Sequence, residues 1–312
     1  MSNYMKNSFL FFFFAVLFFQ SCEEPYLPPL SNDPPDIVVE GYIEAGDRPT
    51  PPYVLLTYTQ PFYNSFNAEA LSGLFVHDAE VVVRDGEKEV LLEEICLEDL
   101  SPAELLLFGE FLGVSLDSLP VNICVYIDRS LSMIGEAGKT YTLEIKADGR
   151  QLSAVTRIPN PVPLDSLKFV RPTQEAPAEL RELRVFLSDP VEEVNFYRYL
   201  TKVNSEPFIP GFNSVLEDVL FNGQSFEFPM PKGEPRNETI DPRLFGFYSN
   251  GDTTTVKWCS IDKEQYDFWN TLEFNELNQG PFSSFTRIES NIEGGLGIWA
   301  GIGARYYTLN VQ

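Results

Sequence analysis

The sequence predicts a mostly β protein: two β-sandwich-like domains, with a short helical insertion in the first and one helix in the second. Three observations predict it. Short segments alternate aromatic or β-branched residues with polar ones, turn signals separate them, and only two stretches carry helical start signals. No internal repeat recurs at a fixed period, which sets aside solenoid and helical-repeat architectures.

Ahead of the first sandwich, residues 9–19 form an unbroken apolar run, preceded by Lys6 and followed by Ser21 and Cys22. This is the order of a secretory signal. As a helix the run would extend only about 16 Å, against roughly 30 Å of hydrocarbon, so residues 1–21 read as a segment that is removed. A cysteine at the cleavage point marks a lipoprotein signal peptide. The Cys22 thiol would take a diacylglycerol and the freed amino terminus a third chain, each buried methylene holding by about 0.8 kcal/mol. Phe19 and Gln20 depart from the usual Leu and Ala or Ser of the processing motif, and a secretory signal with a chance cysteine is the alternative. Residues 22–36, the lipidated cysteine and its spacer, contain five prolines. At about 3.1 Å per residue they would hold a folded body roughly 40 Å off a membrane.

The first domain, residues 37–157, has strand patterns at 37–44, 53–59, 79–85, 121–127, 140–147 and 151–157. Asp148-Gly149 suits a tight hairpin because both residues tolerate positive φ. The insertion, residues 101–113, opens with Ser101-Pro102-Ala103-Glu104, a capping box with proline at the first helical position. Leu105, Leu106, Phe108, Phe111 and Leu112 supply its apolar face, and Gly113 ends it. In an exported protein Cys96 and Cys124 are candidates for a disulfide across this insertion, closing a loop for about 3.6 kcal/mol in the chain-entropy model. Cys259 is left over, a buried and inert thiol beside Trp258.

Residues 158–165 carry three prolines and form a stiff connector. The second domain, residues 166–312, has strand patterns at 184–188, 194–203, 225–228, 244–248, 254–260, 285–288, 296–300 and 305–311. Its helix starts near Asp262, which can cap the Gln265 amide, and lines up Tyr266, Trp269, Leu272 and Leu277 as a packing face.

Composition narrows function by exclusion. The chain has 22 basic against 46 acidic residues and a net charge of −24, a surface that repels nucleic acid and anionic headgroups. With one histidine, His77 beside Asp78, a Ser-His-Asp triad has a single available base and no G-x-S-x-G elbow. Zinc sites of two or more histidines are excluded, and no cysteines close in sequence replace them. The acidic clusters Glu93-Glu94 with Glu98-Asp99 and Asn250-Gly251-Asp252 read as solvated faces or turns, so no metal or cofactor is expected. Gly295-Leu-Gly297-Ile-Trp-Ala300 formally matches a dinucleotide fingerprint, but no strand-turn-helix unit can follow it. Its glycines suit a strand that bends against a neighbouring backbone. A sugar-stacking platform from Trp299, Tyr306 and Tyr307, or from Tyr58 with Phe62 and Tyr63, competes with plain core packing.

Three segments carry a family resemblance: Ile37-Val38-Val39-Glu40-Gly41 after the spacer, Ile158-Pro159 through Asp165-Ser166-Leu167 at the connector, and Ser290-Asn291-Ile292-Glu293-Gly294-Gly295-Leu296-Gly297 near the end. Through them the chain resembles the domain-of-unknown-function 4249 family of Bacteroidota lipoproteins. The resemblance implies a lipid-anchored outer-membrane protein, accessory to uptake or surface assembly and partnered with a TonB-dependent receptor, and it brings no catalytic residues. Glu23-Glu24 resembles a signal for outward display. The reading expected from the sequence is a non-catalytic accessory lipoprotein. The alternatives are a glycan- or peptide-binding module and a carboxylate-dependent hydrolase, whose acid pair sequence alone does not locate.

Overall fold

Along β7 (Thr140–Ala147) and β8 (Arg150–Arg157) every second side chain is buried, the period of a sheet covered on one face. Asp148 and Gly149 join them at φ +51° and +72°, the tight hairpin expected of that dipeptide. The computed structural model describes residues 34–60, 73–105, 109, 122–173, 176–191, 194–220, 222–235, 240–277 and 287–312. Within them 48% of the chain is strand and 10% helical, so the protein is mostly β.

The other strands of the first half are β1 (Ile37–Gly46), β2 (Tyr53–Tyr58), β3 (Glu80–Arg84), β4 (Glu89–Leu91), β5 (Glu93–Cys96) and β6 (Cys124–Ile127). The second half supplies β9 (Ser166–Val170), β10 (Leu180–Ser188), β11 (Phe196–Val203), β12 (Ile209–Glu217), β13 (Ser225–Pro229), β14 (Tyr248–Ser249), β15 (Thr253–Ile261), helix α1 (Lys263–Leu277) and β16 (Leu296–Asn310). One eight-stranded sheet runs β12, β11, β15, β16, β1, β2, β6, β5 and so draws on both halves. Its central seam is parallel, Val38 pairing with Leu296 and Gly46 with Ala304.

Two smaller sheets cover one face of the long sheet. The sheet β4, β3, β7, β8 closes a core with β1 and β2 in which Val39, Leu56, Val83, Leu143 and Trp299 are buried. The sheet of β13, β10, β14 and β9 closes a second core, containing Leu183, Val185, Tyr197, Val256 and Trp258. Strand β16 enters both, through Trp299 in the first and Tyr307 in the second, which Val311 just beyond the strand also joins. Residues Pro35–Gln312 form one compact unit around these two cores.

Several local expectations change. The separate strands expected at 296–300 and 305–311 are the single strand β16. Gly301 and Gly303 look like a break, yet they let the connector lie on the strand: a Cβ on Gly303 would sit 2.5 Å from the Pro159 carbonyl oxygen. Gly297, at φ +109°, brings β16 so close to β1 that a Cβ would fall 1.9 Å from the Val39 carbonyl oxygen. Of the strand expected at 244–248 only Tyr248 is extended, because residues 242–246 form turns. Strands β4, β5, β9 and β12 lack a clear alternating pattern and were not expected. In the insertion, Ser101 and Glu104 make the reciprocal cap, Ser101 N donating to Glu104 Oε2 at 2.9 Å and Glu104 N to Ser101 Oγ at 3.4 Å. Leu106, Phe108, Phe111, Leu112 and Gly113 lie outside the described residues.

Candidate functional site

Strand parity decides what the long sheet shows on its other face. On β11 the odd residues Tyr197 and Tyr199 enter the second core, so Arg198 and Leu200 point away from it. On β15 Val256 and Trp258 enter the second core, whereas Lys257 and Cys259 turn to the other face, where Cys259 is buried with Ile261 and Ala304 in a small third cluster. On β1 the core takes Val39 and Ile43, leaving Glu40, Tyr42 and Glu44 opposite, and on β16 Ile302 and Tyr306 share that side. These side chains line a cavity of about 670 Å³, within the usual range of small-molecule pockets.

Helix α1 forms one wall. Asp262 caps it, accepting from Gln265 N at 2.9 Å. The expected packing face was Tyr266, Trp269 and Leu272, but the residues that turn most fully inward are Gln265 and Glu273, with Trp269 between them at the i, i+4, i+8 spacing. Glu273 accepts from Ser214 N at 3.0 Å and lies 3.8 Å from the Arg198 guanidinium, which stacks 3.4 Å above the Trp269 ring centroid. Polar anchors join the expected aromatic packing, in which Tyr266 lies on Phe196 with ring centroids 5.2 Å apart, because the sheet surface beneath the helix also carries charge.

At the centre Lys257 Nζ pairs with Glu44 Oε2, and Tyr306 donates to Glu44 Oε1 at 2.7 Å. Burial is the largest single influence and opposes the Lys257 ammonium, but Glu44, Cys259 and Tyr306 together outweigh it and hold the lysine above its usual range. Burial, with Glu44 adding to it, likewise raises the Tyr306 phenol. Burial pushes the neighbouring Cys259 thiol up to about 12, so at neutral pH the sulfur is a protonated, unreactive group.

Around this centre the wall divides by chemistry. Leu55, Ile123, Val125, Leu200, Ile261 and Ile302 make it apolar, and Tyr42, Tyr53, Phe208, Trp269 and Tyr306 make it aromatic. Arg48 stands exposed at the rim, its guanidinium 4.5 Å over the Tyr306 ring, and its charge helps to hold the neighbouring Asp47 carboxyl below its usual range. Gln265 is fully buried in the wall. Its amide donates to the Gly301 carbonyl at 2.8 Å while its Oε1 has no partner.

The three aromatic candidates of the sequence separate. Tyr306 lines the cavity. Trp299 is a correction: it is 0% exposed in the first core and donates its indole N–H to the Tyr141 carbonyl at 3.1 Å, leaving no face for a ligand. Tyr307 is another, turned to the opposite face, where its hydroxyl accepts from Leu164 N at 2.7 Å. Tyr58 packs on the first core, and Phe62 and Tyr63 lie outside the described residues, as does Cys22.

The clusters weighed for metals have other occupations. Cys96 and Cys124 pair opposite one another on β5 and β6 and are joined by a disulfide with Cα atoms 4.0 Å apart. His77 Nδ1 lies 2.5 Å from Glu94 Oε1, and these two with both sulfurs fall within 4.8 Å of one another. Sequence separation hid this grouping, which only the pairing of β5 with β6 creates. With the sulfurs bonded to each other it offers a metal no thiolate. Asn250-Gly251-Asp252 is a turn, Asp252 Oδ1 accepting from the Asn204 amide at 2.9 Å.

Sequence reasoning missed Lys257, Glu44, Arg198 and Gln265. The available signal was a charged residue on one side of strands otherwise rich in buried apolar groups: Glu40 and Glu44 in β1, Arg198 in β11 and Lys257 in β15. A protein-family model described as a domain of unknown function (DUF4249) matches residues 23–305. No curated protein matches the chain.

Proposed function

The chain belongs to the domain-of-unknown-function family DUF4249, and from that premise we propose a non-catalytic, lipid-anchored capture protein that binds a small amphipathic ligand on the face of its long sheet opposite the two smaller sheets. The observation that carries this reading is the cavity itself: an apolar and aromatic wall around a buried Lys257–Glu44–Tyr306 centre, with Arg48 at the rim. Apolar walls with a few placed polar groups are the general form of a binding pocket.

The thiol and the amine that line the cavity both stand in the wrong protonation state for attack. Cys259 is held as the thiol and Lys257 as the ammonium. This supports binding without turnover.

The anchor is Cys22 at the outer membrane, with the proline-rich spacer holding the pocket clear of the lipid and a TonB-dependent receptor as the recipient of the ligand. Support comes from the signal-like first 21 residues and from a family match that begins at residue 23, directly after Cys22. The test is chromatography of a cell-envelope extract over the immobilised protein, against a Leu200→Trp variant that fills the cavity. A small molecule retained by the first and not the second is expected; equal retention on both rejects the pocket. Loss of palmitate labelling on Cys22→Ser is expected, and continued labelling rejects the anchor.

A further inference from the structure

We propose that Cys96, Cys124, His77 and Glu94 form a zinc site that the disulfide closes, so that the chain holds one zinc ion when these cysteines are reduced and none when they are joined. On β6 Val125 lines the pocket, so Cys124 and Tyr126 turn to the opposite face of the sheet, and the site stands independently of the capture reading. Cys96 and Cys124 sit directly opposite one another on antiparallel strands and send their side chains out on that one face. Glu94, two residues before Cys96 on β5, shares it. His77 arrives from the segment before β3, which Tyr126 ties down: its hydroxyl donates to the Val76 carbonyl at 2.8 Å and accepts from Ala79 N at 3.0 Å.

Four ligand atoms thereby converge, one ring nitrogen of His77, one carboxylate oxygen of Glu94 and the two sulfurs, all within 4.8 Å of one another. Ligands about 2.0–2.3 Å from a tetrahedral ion lie about 3.3–3.8 Å apart, so the set needs only small movements to close on one. The strand pairing holds the two Cα atoms 4.0 Å apart, and rotation about the Cα–Cβ bonds parts the sulfurs once their bond is broken. His77, with half its side chain exposed, can follow them. Glu94 is already oriented: Asp78 N donates to Oε2 at 3.0 Å and the Tyr126 hydroxyl stands 3.2 Å from the same oxygen, which leaves Oε1 facing His77. Outer partners of this kind fix the direction of a metal-binding carboxylate. Two thiolates, an imidazole and a carboxylate are a donor set for zinc, whereas calcium and magnesium take oxygen ligands.

Opening the site takes a dithiol reductant. Its thiolate attacks the partly exposed Cys96 sulfur, on the β5 end of the long sheet, and the electron pair of the broken S–S bond leaves on the buried Cys124. The reductant's second thiol then displaces Cys96 as a thiolate and departs as a disulfide, two electrons having passed to the cysteines. Zinc takes both thiolates in place of protons. Exchange with an oxidised disulfide runs the same steps backward and expels the ion.

Cobalt serves as the spectroscopic probe for zinc, added to the full chain in detergent before and after reduction by a phosphine, with alkylation and mass measurement confirming that Cys96 and Cys124 are free. The reduced chain is expected to bind one cobalt ion with the visible bands of tetrahedral coordination and the near-ultraviolet band of thiolate-to-cobalt charge transfer. Zinc should bleach both. The disulfide-bonded chain should show neither. His77→Ala and Glu94→Gln should each weaken zinc binding about tenfold or more, and bound zinc should slow re-formation of the disulfide severalfold. Should reduction loosen the fold, zinc is expected to raise the melting temperature of the reduced chain and leave that of the disulfide-bonded chain unchanged. A reduced chain that neither shows these bands nor gains stability with zinc overturns the proposal. So does equal binding by the reduced and disulfide-bonded chains, thiolate-type bands in the double variant Cys96→Ser, Cys124→Ser, or undiminished binding by His77→Ala.

Discussion

The Tyr306 hydroxyl donates to Glu44 Oε1 at 2.7 Å while Lys257 holds the other oxygen of the same carboxylate, joining β16, β1 and β15 beneath the pocket. A buried pair is a fragile arrangement energetically, because desolvation nearly cancels the attraction and removing one partner strands the other charge. Lys257→Met should therefore destabilise by about 3–5 kcal/mol. The double variant Lys257→Met, Glu44→Leu should recover most of that loss. Urea unfolding measures both, and a double variant as unstable as the single one would contradict the pairing.

Cys259 gives the pH dependence a direction. Burial raises its thiol to about 12 in the fold, against an ordinary value near 8.5. A raised value favours the native state while the proton is held, so this contribution is intact below about pH 8.5 and is lost as the pH climbs toward the folded value. Between pH 9 and 11 the wild type should lose stability faster than Cys259→Ala by up to about 1.4 kcal/mol per pH unit. A thiol reagent at pH 8 should modify Cys259 only after denaturant is added. Rapid modification of the native protein would place the thiol in an open position.

Gly297→Ala tests the seam between β1 and β16. The substitution meets both a φ of +109° and a carbonyl oxygen 1.9 Å from the new carbon. Strain at one such position costs roughly 1–3 kcal/mol before the clash is counted. A melting-curve loss of less than 1 kcal/mol would mean that the strands separate easily.

Replacing Cys96 and Cys124 together with Ser should lower stability by about 2–4 kcal/mol, the usual effect of freeing such a loop. The expected site of damage is local, around β5, β6 and the His77–Glu94 contact. Hydrogen exchange should rise there and remain unchanged at Trp258 and its neighbours in the second core. Uniform loss of protection would show that the bridge supports the whole body.

Much of the body was legible where the determinant is local. Asp148-Gly149 specifies its hairpin by backbone tolerance, Ser101 with Glu104 and Asp262 with Gln265 specify their helix starts by capping, and alternation marks β1, β7, β8 and β15. The candidate site was not legible. Alternation says that Tyr306 and Tyr307 point opposite ways but not which faces a core, and Trp299 looked available until Tyr141 and Gly41 closed around it. Arg198, Lys257 and Glu44 meet only because β16 lies between β15 and β1, a pairing set by the whole chain.

That placement of β16 fixes an order of assembly. Strand β1 forms first in the chain, yet its neighbour in the sheet comes from residues 296–310. The long sheet stays divided, with β15 and β1 each presenting an unpaired edge, until that segment arrives. Contacts of such long sequence separation make folding slow, and open edges invite pairing with other chains. A chain truncated before residue 296 should therefore aggregate rather than fold as two separate halves, and synthesis has to be almost complete before the body can close.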